Sequence, residues 1–247
     1  LKADIKKEAA SLNDKSIGCL NGNTLKIIAC FAMFLDHIGY TFIQNHNSSS
    51  YLWLSCVIGR LAFPIFVFLL AEGLYYTRDR KKYVGRMCLF ALVSEIPYNL
   101  MMSGELFDLT HQNVYFTLAL GLIMCVFIEK IEEKTRDKEL VMLLFECVGV
   151  AIFAATAQLL HFDYGAYGII AIYLCYIFRE FPLIAGIAES IVLASMGSGE
   201  LAVIFSPLIL MFYNGKRGKL NLKYPFYIFY PTHIFVLGVI RVLLIKG

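Results

Sequence analysis

The sequence predicts an all-α fold, a polytopic integral membrane helical bundle of about nine spans with its N-terminus inside. Three observations predict it. The chain is more apolar than a soluble domain, its apolar runs have the length of a bilayer crossing, and its basic residues fall at alternate connections.

Of 247 residues, 59% are hydrophobic, 15% aromatic and only 17% charged, with a mean hydropathy of +0.66. Soluble domains carry about 25% charged and about 45–50% apolar residues. Runs such as "VIGRLAFPIFVFLLAEGLYY" and "YPFYIFYPTHIFVLGVIRVLLI" have the roughly 20 residues needed to cross an apolar core about 30 Å thick. The predicted spans are 24–44, 52–76, 83–103, 112–131, 139–160, 163–178, 182–196, 200–213 and 224–245. Residues 1–23 read as a cytoplasmic segment, a short surface helix of mixed charge without a cleavable signal pattern. Residues 24–247 read as one transmembrane domain.

Orientation follows from the connections. "NHNSSS", "SGELFDLT", "HFD" and "GSGE" contain no Lys or Arg, whereas the N-terminus and "RDRKKYVGR", "EKIEEKTRDKE", "RE" and "NGKRGKLNLK" do. Basic residues stay on the cytoplasmic side, which places the N-terminus inside and the C-terminus outside. Segments 182–196 and 200–213 are short, since about 14 helical residues cover about 21 Å. They form either a re-entrant hairpin or tilted helices, and both alternatives preserve the parity. No internal repeat of the inverted-transporter kind is visible.

Seven cysteines are scattered singly, without CxxC or Cys/His ligand spacing. They read as small buried hydrophobes, and neither a disulfide framework nor a metal site is expected. No Walker loop and no GxGxxG occurs, so nucleotide-driven or dinucleotide chemistry lacks support.

Ionisable groups inside spans cost a few kcal/mol each and are functional candidates by default. These are Asp36 and His37 in "FLDHIGYTFI", Arg60 and Glu72 in the second span, Glu95 in the third, Glu146 in the fifth and His233 in the last. Helix rise puts His37 about 10 Å, and Arg60 and Glu95 about 12 Å, from the outer ends of their helices. Three helices thus present Asp36, His37, Arg60 and Glu95 in one layer, with Arg60 between two carboxylates. Consecutive residues lie about 100° apart around a helix, so Arg60 is a better partner for Asp36 than His37 is. Asn99, Gln112 and Asn113 add hydrogen-bonding groups at the outer side, and Pro64 and Pro97 predict local helix distortion. His233 lies about 12 Å from the inner end of its span. Beside the functional reading stands a structural one, an ion-pair network that only holds helices together. Glu72 near an inner end also reads as an ion-paired surface group. Arg78, Arg80, Lys81, Lys82 and Arg86 are first of all a topology signal, and they also suit anionic lipid or a phosphate-bearing cytoplasmic donor.

The stretches "LKIIACFAMFLDHIG", "IGRLAFPIFVFLLAEGLYYTRDRKKYVGRMCLFALVSEIPYNL", "QNVYFTLALGL", "DYGAYGI" and "FYIFYPTHIFVL" resemble the TraX family of membrane proteins, in family order over about residues 24–240. That resemblance implies pilin acetylation and, more distantly, a polytopic membrane acyltransferase that takes acetyl groups from cytoplasmic acetyl-CoA. It implies Asp36, His37, Arg60 and Glu95 as catalytic residues. Asn99, Gln112, Asn113, Glu72 and His233 are implied on the substrate side. Acetyl-CoA is then a co-substrate without a metal, its phosphates near Arg78, Arg80, Lys81 or Lys82. The partners implied are the bilayer of a bacterial cytoplasmic membrane and a protein or glycan acceptor, with no nucleic acid.

In that reading His37 deprotonates an amine or hydroxyl acceptor, Asp36, Arg60 and Glu95 tune it, and Asn113 or Arg60 holds the oxyanion. Because His37 lies in the outer half, either the donor threads inward or His233 relays the acyl group. A proton-coupled transporter or flippase accounts equally well for the buried charges, and a non-catalytic scaffold is the third alternative.

Overall fold

The computed structural model describes residues 18–43, 48–135, 138–220 and 223–246. Among them nine helical segments follow in order: α1 Gly22–Phe42, α2 Ser49–Tyr76, α3 Arg80–Met102, α4 Val114–Lys134, α5 Glu139–Leu159, α6 Gly165–Phe178, α7 Pro182–Ala194, α8 Ser198–Met211 and α9 Lys223–Lys246. The described residues contain no strand, only two isolated bridges. Five segments, α1, α2, α4, α5 and α9, are long and apolar enough to cross a membrane. α3 has comparable length but carries Arg80, Lys81, Lys82, Arg86 and Glu95. The expected surface helix within 1–23 lies almost wholly outside the described residues.

Local chemistry explains where the helices begin. The Asn21 side chain accepts the N–H groups of Asn23 and Thr24 at 3.0 and 3.1 Å. Asp79 does the same for Lys82 at 3.0 Å, and Asn113 for Tyr115 at 3.1 Å. Each satisfies donors that a helix start leaves unpaired. Pro182 opens α7, and Pro207 opens the α-helical part of α8, where a missing N–H costs nothing.

α2 departs from regular geometry. Leu52–Ile58 is a π-helix and Gly59–Leu61 a 3₁₀ turn, before α-helix resumes at Ala62. The distortion expected near Pro64 therefore lies on its N-terminal side, where a π turn carries an additional residue and rotates what precedes it. Around Pro97, by contrast, α3 continues as α-helix.

Packing is tight where two helices meet without side chains between them. A Cβ on Gly59 would lie 2.5 Å from Cβ of Asp36, and one on Gly39 would strike Ser55 Oγ, so two glycines let α1 and α2 touch. The Ser55 hydroxyl donates to the Asp36 carbonyl at 3.1 Å. α9 lies along α3: Gly238 abuts Met101 N, and Arg241 donates to the carbonyls of Met101 and Met102 at the end of α3. A cation at a helix C-terminus satisfies orphan carbonyls and complements the dipole.

The connections gather at two ends of the bundle. At one end Leu20 pairs with Phe212 and Asn214, and Gly22 and Asn23 with Lys216 and Arg217, beside Thr77–Asp79. At the other, Gln112 pairs with His161 and Asp163. Large apolar side chains such as Leu140, Leu144, Phe145, Val148 and Ile152 on α5 face outward. A hydrophobic belt of that extent on a helix long enough to span is what lipid demands. The chain is a membrane protein.

All seven cysteines are free. Cys30, Cys125 and Cys175 are buried, Cys56 and Cys88 partly so, whereas Cys19 and Cys147 are exposed. The reading as small buried hydrophobes thus fits Cys30, Cys125 and Cys175 and fails for Cys19 and Cys147, the latter on the outward face of α5.

Candidate functional site

Two histidines 196 residues apart meet inside the bundle. Nδ1 of His37, on α1, lies 2.7 Å from Nε2 of His233, on α9. Their rings are within 9° of coplanar, with centroids 4.9 Å apart, so the contact is an in-plane hydrogen bond between ring edges. On its other side His233 Nδ1 lies 2.7 Å from the Phe229 carbonyl, one turn back along α9. Phe229 stacks on the His233 ring at 4.5 Å, and Phe34 and Tyr230 meet it edge-on at 6.1 and 5.7 Å.

His37 Nε2 lies 3.9 Å from Asp36 Oδ2, near but beyond hydrogen-bond distance. Beyond Asp36 an acidic cluster surrounds Arg60. Its Nε nitrogen lies 3.1 Å from Glu200 Oε1, an ion pair without hydrogen-bond geometry, and Asp36, Asp163 and Tyr164 lie within electrostatic reach of the guanidinium. Arg60 makes its close ion pair with Glu200 of α8, a partner the sequence did not suggest, while Asp36 remains among the charges that act on it. Asp36 and His37 stand near each other without a hydrogen bond, as consecutive residues on a helix do.

Asp163 and Tyr164 belong to the turn between α5 and α6. Tyr164 has φ +61°, a left-handed conformation costly for a bulky residue. Asp163 Oδ1 accepts the Tyr164 N–H at 3.0 Å, the Asp163 carbonyl accepts the Thr117 hydroxyl, and the Tyr164 ring stacks on Phe63 at 3.6 Å. These three contacts hold the strained turn against Arg60. Burial pushes the Asp163 carboxyl up to about 6, opposed by Arg60.

Glu95 stands apart from Arg60. Its Oε2 accepts from Asn113 Nδ2 at 2.5 Å, and Asn113 Nδ2 also donates to the Ala91 carbonyl at 2.9 Å. Both amide hydrogens of Asn113 are thereby committed, which removes the free donor expected for an oxyanion. The layer of Asp36, His37, Arg60 and Glu95 is thus only partly assembled. Asn99 and Gln112 are scaffolding. The Asn99 side chain, with its amide oriented to satisfy both neighbours, bonds the Asp108 backbone at 3.1 and 3.2 Å. Gln112 donates to the Leu109 carbonyl at 3.2 Å.

On the other side of the imidazole pair a cavity of about 610 Å³ opens at the end that holds Leu20, Arg78 and Arg217. Five cationic side chains line it, Lys26, Arg78, Lys82, Arg86 and Arg217, against two acidic ones, Glu72 and Asp79. Glu72 is buried and accepts from the Tyr213 hydroxyl at 3.0 Å, so it is an interior group and not an ion-paired surface one. Lys82 pairs with Asp79 at 3.1 Å, and Lys26 lies 5.5 Å from the centroid of Phe226. Arg80 points elsewhere, making a two-pronged bond to Glu129 at 2.6 and 3.0 Å. Lys81 is exposed and lines neither this cavity nor the one around Arg80. Of the basic residues singled out in the loop after the second span, Arg78, Lys82 and Arg86 line this cavity, and Arg80 and Lys81 do not. Lys26 and Arg217 were missed because a helix start and a distant loop reveal no common address in a linear chain.

Between this cavity and the histidines lies an aromatic layer. Tyr115, in the cavity wall, meets Tyr230 edge-on at 5.0 Å, and Tyr230 meets His37 at 6.1 Å. Both tyrosines are buried.

Comparison with known proteins bears on this site. The TraX protein family matches residues 21–241. The chain belongs to the TraX family. A relative in Dichelobacter nodosus, described as "Probable fimbrial assembly protein FimC, serogroup H1", is 32% identical over 241 residues, covering 86% of this chain and 92% of its own. No solved structure matches. The match to TraX includes every residue of the imidazole pair, the Arg60 cluster and the basic cavity.

Proposed function

We propose that this TraX protein is a membrane-embedded acyltransferase. It moves an acetyl group from cytoplasmic acetyl-CoA to an amine or hydroxyl acceptor at the outer side, in a bundle of nine crossings with its N-terminus inside. The observation that carries the reading is the placement of the His37–His233 pair, between a basic cavity at the end with the Lys- and Arg-bearing connections and a carboxylate cluster toward the opposite end.

The donor fits the first hollow by charge. Five cations around an aromatic-walled cavity suit a ligand with several phosphates and a flat ring. Lys26, Arg78, Lys82, Arg86 and Arg217 would hold the phosphates. Tyr115 and Tyr230 stand where the thioester arm must pass. His37 accepts the acceptor's proton at Nε2 as the nitrogen or oxygen lone pair forms its bond to the thioester carbonyl carbon. The carbon–sulfur bond then breaks, and the departing thiolate takes that proton from His37. Arg60, with Glu200 drawing only part of its charge, is the cation nearest the developing oxyanion. The relative's description as a fimbrial assembly protein supports a pilus subunit as acceptor.

The test uses purified protein in proteoliposomes with labelled acetyl-CoA inside and a pilin peptide outside. Wild type should transfer label, and His37→Ala should lower transfer by about a hundredfold or more while coenzyme A binding persists. Arg86→Glu combined with Arg217→Glu should weaken that binding. Absence of coenzyme A affinity in the wild type, or full transfer by His37→Ala, would sink the reading.

A further inference from the structure

We propose that His233, anchored on the Phe229 carbonyl, locks His37 in the tautomer whose Nε2 carries a lone pair, and is the first acceptor of any proton His37 takes up. The argument is one of donor and acceptor accounting. A carbonyl oxygen only accepts, so the 2.7 Å contact to Phe229 requires a proton on His233 Nδ1. A neutral imidazole then has a lone pair at Nε2. That lone pair faces His37 Nδ1 at 2.7 Å, and two lone pairs at that distance would repel. His37 Nδ1 must therefore bear the hydrogen, which leaves Nε2 bare. Every neutral arrangement except this one breaks a hydrogen bond.

The rings are also prevented from reversing these roles by rotation. Phe229 stacks on His233 at 4.5 Å, Phe34 and Tyr230 close its edges, and Tyr230 packs against His37 as well. The bare Nε2 of His37 points toward Asp36, with Arg60 and Glu200 beyond. When Nε2 gains a proton, His37 becomes an imidazolium. Its Nδ1 hydrogen can cross the short bond to His233 Nε2, with no heavy atom moving. The pair then holds one additional proton, and Phe229 still accepts from Nδ1 of His233, now the cation. His233 is thus a positioning residue for His37, and the Phe229 carbonyl is its anchor.

The inference rests on the acyltransfer reading only for its catalytic consequence. Nitrogen-15 histidine spectra of the full chain in nanodiscs test it without substrate. His37 should appear as a single tautomer, protonated at Nδ1, with a scalar coupling across the hydrogen bond to His233 Nε2. A His37 protonated at Nε2, or a mixture of tautomers, would overturn the proposal even if acetyl transfer proceeds. The variants give a second readout. His233→Gln keeps an acceptor for the Nδ1 hydrogen and should retain the single tautomer, whereas His233→Met should show both. In the transfer assay His233→Met should then lower kcat, with KM unchanged, by the fraction of His37 that its spectrum shows in the wrong tautomer, up to the roughly 10⁴-fold cost of a wholly wrong one, and His233→Gln should recover part of it. Equal kcat for His233→Met and wild type would refute the positioning role.

Discussion

Asp163 shows how a single side chain couples stability to the candidate site. Its carboxyl, in the Tyr164 turn, is half-buried, and burial pushes it up to about 6 from the ordinary 3.8. A carboxyl raised on folding contributes stability that is complete below the unfolded value and is lost as pH climbs through the folded one. Thermal unfolding in detergent should therefore occur a few degrees higher near pH 5 than near pH 7.5 on account of this residue. The comparison is with Asp163→Asn, which stays neutral throughout and should lack that portion of the pH response. Identical pH profiles for the two proteins would show that Asp163 is well solvated. The same turn illustrates what residue types alone convey. His37, Asp36, Arg60 and His233 were legible because ionisable groups inside apolar runs are expensive. Asp163 and Glu200 were hidden because in the sequence they close the short connections "HFD" and "GSGE", where a carboxylate needs no explanation. Only the folded turn brings Asp163 to Arg60, and only the start of α8 brings Glu200.

Helix-level reasoning from the sequence was sound where geometry is regular and failed where it is not. The boundaries of α1, α4, α5 and α9 follow the apolar runs closely, because a crossing must be long, apolar and internally hydrogen-bonded. The π segment of α2 is invisible to periodicity, and so is the Arg60–Glu200 ion pair, whose partner lies 140 residues further along the chain. The meeting of α1 with α9 was equally unreadable, since order in the chain favours neighbours and these helices are first and last. Arg241 holds the far end of α9 to α3. Replacing it with Met keeps the stem's packing but abandons the Met101 and Met102 carbonyls. That should cost about 1.5–3 kcal/mol. Hydrogen exchange should localise the change to the last turn of α3 around residues 99–104, with the α1–α2 contact undisturbed. Uniform loss of protection across the bundle would argue instead that α9 docks only through this residue.

For the molecule as a whole, the arrangement of loops at two ends agrees with the segregation of Lys and Arg along the sequence. Connections rich in these residues converge around Arg78 and Arg217, and those lacking them converge around Gln112 and Asp163. In a background without native cysteines, a cysteine replacing Lys216 should react with an impermeant maleimide only from the inner face. One replacing Phe107 should react only from outside. Labelling of both from the same side would change the number of crossings between them, and labelling of each from the other face would invert the proposed nine-crossing topology.

The Tyr115–Tyr230 contact has a consequence for energetics under a membrane voltage. The basic cavity reaches this layer from one side only, so once filled with water it carries the inner potential as far as Tyr115. The drop then falls across the two rings together with the packed histidine and Arg60 cluster beyond them. A charge carried through that shortened stretch still meets the voltage, about 2.3 kcal/mol per elementary charge for each 100 mV, with or against the cell's electrical polarity.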